Sequence, residues 1–156
     1  MENKVILLDL NQTLAGKISM DYQTFSYDVS QDEYREDLVK ALEGKRVFLI
    51  TARTGDYAKQ TMEKIKNDTT LVIERSYFKP KSMQYTKVYD FKRLIVLDLF
   101  KEGFKADDFF GIESNRETRD SYASIGVQSC TYAEYMKRYA GNGGNQCQEI
   151  NQTKLF

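Results

Sequence analysis

Asp9, Asn11 and Thr13 stand at alternate positions immediately after the apolar run Val5-Ile6-Leu7-Leu8. Thr51 ends a second apolar run, Arg46 to Thr51 (RVFLIT), and Glu113 ends a third, Asp108 to Glu113 (DFFGIE). A short run, partly β-branched and ending in polar residues, reads as a buried parallel strand. Its polar residues then lie at the carboxyl edge of a sheet, where the loops converge and ligands bind. Two carboxylates, an amide and two hydroxyls delivered to one such edge make a site rich in oxygen ligands. On the first segment alone, a turn capped by Asp9 with Asn11 in the left-handed conformation accounts for the residues as well. The three strand ends together carry the stronger reading.

The elements that must position these groups alternate along the chain. Ser30-x-x-Glu33 is a capping-box pattern that predicts a helix to about Leu42, stopped by Gly44. After Ala52-Arg53-Thr54-Gly55, with Thr54 as cap, a helix is expected from Gly55 to Lys66. Leu71 to Ile73 reads as a short strand, Tyr89 to Lys101 as a helix, and Gly126-Val127 closes the helical stretch after the third strand. Thr131-x-x-Glu134 opens a last helix to about Ala140. The expected architecture is α/β, a three-layer, doubly wound, mainly parallel sheet. Only about 30 residues separate the first two strands, too few for a sizeable cap domain. Residues 1–140 are expected to form the domain, and the polar, glycine-rich 141–156 a flexible tail.

With these motifs in place, the chain resembles the haloacid dehalogenase (HAD) superfamily, whose first motif is an apolar strand followed by D-x-D-x-T. Within it, ITARTG at Ile50 to Gly55 and GIESNRETRDSYASIGVQSC at Gly111 to Cys130 look like motifs of the phosphatase domain of phage-type polynucleotide kinase-phosphatases. The resemblance implies a HAD-like Rossmannoid fold and a magnesium-dependent phosphatase acting through an aspartyl-phosphate. Asp9 would be the nucleophile, and Asp9, the Asn11 carbonyl and Glu113 would bind Mg2+. Thr51 and a motif-three lysine would contact the phosphoryl group; Lys92 is the first choice for that lysine and Lys87 the second. Arg53, with its planar fork, and Thr13 would complete the phosphate contacts. A nucleic-acid end or a nucleotide is the implied substrate.

Three positions depart from the family pattern. Asn11 replaces the acid that protonates the leaving group, and an amide does not exchange a proton at neutral pH; such help is worth about 10²–10⁴ in rate. Gln12 stands where glycine is common, which reduces backbone freedom. Glu113 replaces an Asp, and Ser114 and Asn115 beside it are neutral. The alternative is a catalytically degenerate HAD-like domain that binds DNA and RNA polymerase, as in the phage Alc transcription terminator.

Composition frames both readings. The 156 residues suffice for one self-sufficient core. Lys and Arg (23) balance Asp and Glu (23), so no global field draws the chain to a polyanion. Between Arg75 and Arg93, however, six basic residues (Arg75, Lys79, Lys81, Lys87, Lys92, Arg93) face Asp90 alone. Tyr77, Phe78, Tyr85, Tyr89 and Phe91 are interleaved with them, a combination suited to single-stranded nucleic acid or, equally, to a solvated loop with inward aromatics. The absence of histidine excludes Ser-His-Asp and Cys-His catalysis and His-based zinc sites. Cys130 and Cys147 form no metal-ligand or disulfide pattern, which fits a reducing cytoplasm, the host's if the chain is phage-encoded. No apolar run reaches the roughly 18 residues of a membrane span, and no signal peptide is expected.

Overall fold

The computed structural model describes residues 3–140. The expected tail, 141–156, lies outside the described residues. Nine strands are assigned among the described residues: β1 Val5–Leu8, β2 Ala15–Lys17, β3 Met20–Asp21, β4 Ser26–Tyr27, β5 Glu33–Tyr34, β6 Arg46–Thr54, β7 Arg75–Lys79, β8 Phe109–Ile112 and β9 Gln128–Cys130. The α-helices are α1 Glu36–Ala41, α2 Ala58–Asp68, α3 Val88–Lys101, α4 Arg116–Ser124 and α5 Tyr132–Tyr135. Five strands form one parallel sheet in the order β7-β6-β1-β8-β9.

Alternation along the strands divides the core into two layers. Ile6, Leu8, Val47, Leu49, Phe110 and Ile112 meet α1, α2 and α5 through Leu38, Ile65 and Tyr135. Val5, Leu7, Phe48, Ile50 and Phe109 meet α3 and α4 through Phe91, Val96, Leu99 and Tyr122. Both faces of β1 are therefore sealed, and all four of its residues are buried. The chain leaves β1 toward β6 and β7 on one side and returns to β8 and β9 on the other. The carboxyl ends around β1 thus form the switch-point crevice of a doubly wound sheet.

Between β1 and α1 the chain makes two small antiparallel ladders, β2 with β5 and β3 with β4, instead of a separate cap. This corrects the expected Ser30 helix. The Ser30 hydroxyl donates to Asp28 (2.6 Å), which caps a single 3-10 turn, Val29–Gln31, and Glu33 enters β5. The helix that follows, α1, starts six residues later at Glu36.

Other boundaries shift for local reasons. β6 runs on to Thr54, and α2 follows a 3-10 turn, Gly55–Tyr57. Thr54 gives its hydroxyl to Asp56 and caps no helix N–H. Leu71 to Ile73 is irregular, because Leu71 turns into the core and the ladder begins with the Glu74 N–H on the Val47 carbonyl (2.9 Å). The strand is β7, inside the stretch read as a basic loop. The Thr131–Glu134 capping box forms in both directions, at 3.2 and 2.9 Å.

β7 also dismantles the basic strip as a continuous surface. Lys79 is buried and donates to the Thr86 carbonyl, Arg75 pairs with Glu102 (2.8 Å), and Arg93 pairs with Asp90 (2.8 Å). Tyr77, Phe78 and Phe91 pack against the two core layers. Lys81, Lys87 and Tyr85 remain exposed.

Candidate active site

The backbone after β1 turns back at once: the Leu14 N–H reaches the Asp9 carbonyl (3.2 Å), and the Ala15 N–H the Leu10 carbonyl (2.8 Å). Leu10 and Leu14 anchor this turn in the core. Gln12 takes φ +64°, a left-handed conformation that costs a side-chain-bearing residue on the order of 1–2 kcal/mol. The position thus has the geometry that glycine adopts freely.

Asp9 is held by both carboxylate oxygens. Oδ1 accepts from Lys92 Nζ (2.8 Å), and Oδ2 accepts from Thr13 Oγ1 (2.9 Å) and Ser114 Oγ (2.9 Å). Lys92 Nζ also donates to Glu113 Oε1 (2.7 Å), while Glu113 Oε2 accepts the Asn115 N–H (3.1 Å). Lys92 is only 1% exposed, Asp9 7% and Glu113 2%. The second turn of α3 thus places one buried ammonium between the ends of β1 and β8. Arg119 steadies that corner by donating to the Glu113 and Ser114 carbonyls (2.9 and 3.0 Å).

Burial works against ionisation of Asp9, but the Lys92 charge and the hydrogen bonds outweigh it and hold the carboxyl below its ordinary value. Burial pushes the Glu113 carboxyl up to about 7, with Lys92 opposing the rise and the Asp9 charge adding to it. For Lys92, burial is outweighed by Asp9 and Glu113, and the ammonium is held well above its ordinary value. Asp9 therefore ionises more readily than Glu113, which burial and the Asp9 charge hold back against the pull of Lys92.

The remaining residues named from sequence fall into different places. Thr51 is fully buried, and its Oγ1 accepts the Arg53 N–H (3.1 Å) where the β6–β7 register slips between Thr51 and Thr54. That irregularity turns Arg53 inward. Arg53 is 0% exposed and all five of its donors are taken: Asp32 Oδ1 and Oδ2 (2.8 and 2.7 Å), Thr61 Oγ1 (3.2 Å), and Asn11 Oδ1 twice (3.1 and 3.3 Å). The phosphate contact expected of Arg53 would therefore have to displace one of these partners. The single hydroxyl hydrogen of Thr13 is likewise engaged, by Asp9. Lys87 is exposed just before α3 and stands apart from the Asp9 cluster.

Asp32 and Tyr27 are the residues that sequence reasoning passed over. Asp32 lies in no motif, and its burial opposite Arg53 is set by the short β5 ladder. Tyr27 Oη accepts from Asn11 Nδ2 (3.0 Å), and its ring lies under the Arg53 guanidinium, 4.5 Å from the ring centre. Burial raises the Tyr27 phenol above its ordinary value, against the Asn11 hydrogen bond and the Arg53 charge.

Ser114 Oγ lies 2.9 Å from Asp9 Oδ2 and 3.3 Å from the Asn11 carbonyl, so these two oxygens face a common point. Hard oxygen donors converging this way fit a divalent cation such as Mg2+. Among the described residues no group of three or more His, Cys, Asp or Glu side chains is arranged to hold a metal. A cation at this point would draw on Asp9 Oδ2 and the Asn11 carbonyl; the Glu113 oxygens are engaged by Lys92 and the Asn115 N–H, and one would have to exchange its partner to join.

Two solved structures share this architecture. A chain of the Pnkp1/Rnl/Hen1 RNA repair complex superposes with a TM-score of 0.59 at 18% identity, over 83% of this chain and 42% of that one. The 3-deoxy-D-manno-octulosonate 8-phosphate phosphatase of Moraxella catarrhalis, solved with magnesium, phosphate and KDO, gives 0.51 at 16% identity, over 94% of this chain and 72% of that one. The fold is HAD-like. This chain spans less than half the length of the RNA repair component. No protein-family model and no curated protein matches the sequence. No helix among the described residues is long and apolar enough to cross a membrane.

Two predictions follow from the buried charges. Asp32→Asn leaves Arg53 enclosed with its main counter-charge removed, and a buried pair broken on one side loses about 3–5 kcal/mol, read as a lower urea midpoint. For Glu113, an acid raised from its ordinary 4.5 to about 7 binds more protons folded than unfolded between those values, so its contribution to stability falls as pH rises through that window. Urea unfolding at both ends of the window, in EDTA, is expected to show a smaller pH dependence for Glu113→Gln than for wild type. Equal slopes would remove Glu113 as the cause.

Proposed function

We propose that this chain is a magnesium-dependent phosphomonoesterase that acts through an aspartyl-phosphate on Asp9, with a nucleic-acid end or a nucleotide as substrate. The observation that carries this reading is the Asp9 carboxylate: ionised, fixed at both oxygens, and placed at the switch point of a HAD-like sheet. A carboxylate held in one geometry has already lost the rotational freedom that an attack on phosphorus would cost. Its oxygen bonds to phosphorus as the ester P–O bond breaks, and water then cleaves the acyl phosphate, so one hard displacement becomes two easier ones.

Lys92 neutralises charge beside the phosphoryl group, and Thr13 and Ser114 keep Asp9 from rotating. Asp9, the Asn11 carbonyl and Glu113 would hold Mg2+, which when bound offsets the negative charge shared by carboxylate and phosphate. The two neighbours support phosphoryl chemistry on this architecture: one is a phosphatase solved with magnesium and phosphate, the other belongs to an RNA repair complex. Among the described residues the crevice is bordered by two small ladders and no large cap, an arrangement compatible with a bulky substrate end. Exposed Lys81, Lys87 and Tyr85, on the loop after β7, lie toward the same sheet edge.

A second reading, a binding domain for DNA and RNA polymerase, is favoured by one observation. The Asn11 amide, at the place of the family's acid, is spent on Arg53 and Tyr27.

The test is phosphate release from 3′- and 5′-phosphorylated oligonucleotides and from nucleotides with magnesium. Wild type is expected to turn over, and Asp9→Asn to lose at least about a hundredfold in kcat. A wild type that is silent while Asn11→Asp is active would favour the binding reading.

A further inference from the structure

Asn11 leaves the phosphatase reading with a gap: an ester oxygen expelled from phosphorus needs a proton, and an amide has none to give. The hydrogen bonds around Asn11 identify the neighbour that does. A guanidinium only donates, so the Asn11 atom facing Arg53 at 3.1 and 3.3 Å is the carbonyl oxygen. The amide nitrogen therefore faces Tyr27 Oη at 3.0 Å and donates to it. With a lone pair of Oη engaged this way, the phenolic hydrogen points elsewhere, and no described residue accepts it.

The phenol is also built into place. Tyr27 sits on β4, paired with Met20 of β3, and its backbone N–H donates to Tyr57 Oη (3.2 Å). Its ring meets the Tyr57 ring edge-on at 5.3 Å and has the Arg53 guanidinium over its face. Arg53 is in turn locked by Asp32 and Thr61. The whole arrangement fixes one free O–H donor a single hydrogen bond beyond the side chain that follows the nucleophile by two residues.

We propose that Tyr27 donates the proton to the leaving-group oxygen in place of the missing carboxylic acid; this rests on the phosphatase reading above. As the Asp9 oxygen bonds to phosphorus, the ester P–O bond breaks and its electron pair stays on the leaving oxygen, which takes the Tyr27 hydrogen and departs as an alcohol. The phenolate left behind lies against the Arg53 cation. In the second step water attacks phosphorus, the acyl phosphate P–O bond breaks to return the Asp9 carboxylate, and the water's proton restores the phenol. Arg53 and Asp32 act as positioning residues, because neither has a donor or an oxygen turned to the substrate.

The discriminating variant is Tyr27→Phe, which keeps the ring over Arg53 and removes only the hydroxyl. Its kcat is compared with wild type on p-nitrophenyl phosphate, whose leaving group departs unaided, and on a 3′-phosphorylated oligonucleotide or glycerol phosphate, whose alkoxide needs a proton. The expected result is a loss on the alkyl esters about a hundredfold larger than any loss on the aryl ester, the size of a general-acid contribution. Equal losses on both, or no loss on either, would overturn the assignment while leaving the phosphatase standing. A wild type that hydrolyses none of these esters would overturn both together. Unfolding curves of Tyr27→Phe matching wild type exclude a folding defect as the cause.

Discussion

The buried ammonium of Lys92 is the contact on which the rest of the site depends. It joins the carboxyl ends of β1 and β8 to α3 through hydrogen bonds of 2.8 and 2.7 Å to Asp9 and Glu113. Two carboxylates brought this close would repel, and burial alone would protonate both. One cation shared between them lets Asp9 ionise while Glu113 is held toward neutrality. The charge states of Asp9 and Glu113 and the docking of α3 on the sheet are thus tied to the same three atoms. Removing the ammonium would disturb packing and chemistry together.

A second buried cation organises the other side of the crevice. Arg53 could not enter the core without partners for each of its donors, and it finds them in Asp32, Thr61 and Asn11. Breaking such a pair is costly even where forming it gains little, so the ladders that carry Asp32 and Tyr27 are tied to the main sheet. This explains how a connection with little core of its own holds a defined shape over the site. Asn11 is the hinge of the arrangement, since its carbonyl serves the Asp9 side and its side chain joins Arg53 and Tyr27.

Much of the scaffold was legible because buried strands have a plain signature. Val5–Leu8, Arg46–Thr51 and the Phe109–Ile112 run are apolar stretches ending in polar residues, and the sheet places Asp9, Thr51 and Glu113 at their ends. Lys92 stands ahead of Lys87 only through the resemblance, because both lie at the start of one helix-like stretch and spacing does not separate them. What stayed hidden depends on tertiary contacts. β7 alternates Tyr77 and Phe78 between two core layers, yet its flanking lysines make it read as a surface loop. Ser30 spends its hydroxyl on Asp28, so the capping pattern opens no helix. Nothing local to Arg53 reveals that Asp32, twenty-one residues earlier, meets it in the core. Tyr27 is one tyrosine among 11, distinguished only by what folds against it.

The measurement that bears most directly on this account is the search for a covalent phosphoenzyme. Acid quenching during turnover of a radiolabelled phosphate ester with magnesium, followed by peptide mapping, should find a hydroxylamine-labile phosphate on Asp9, absent in Asp9→Asn. Label on another residue, or turnover with none on Asp9 at any quench time, would contradict the nucleophile and the mechanism built on it.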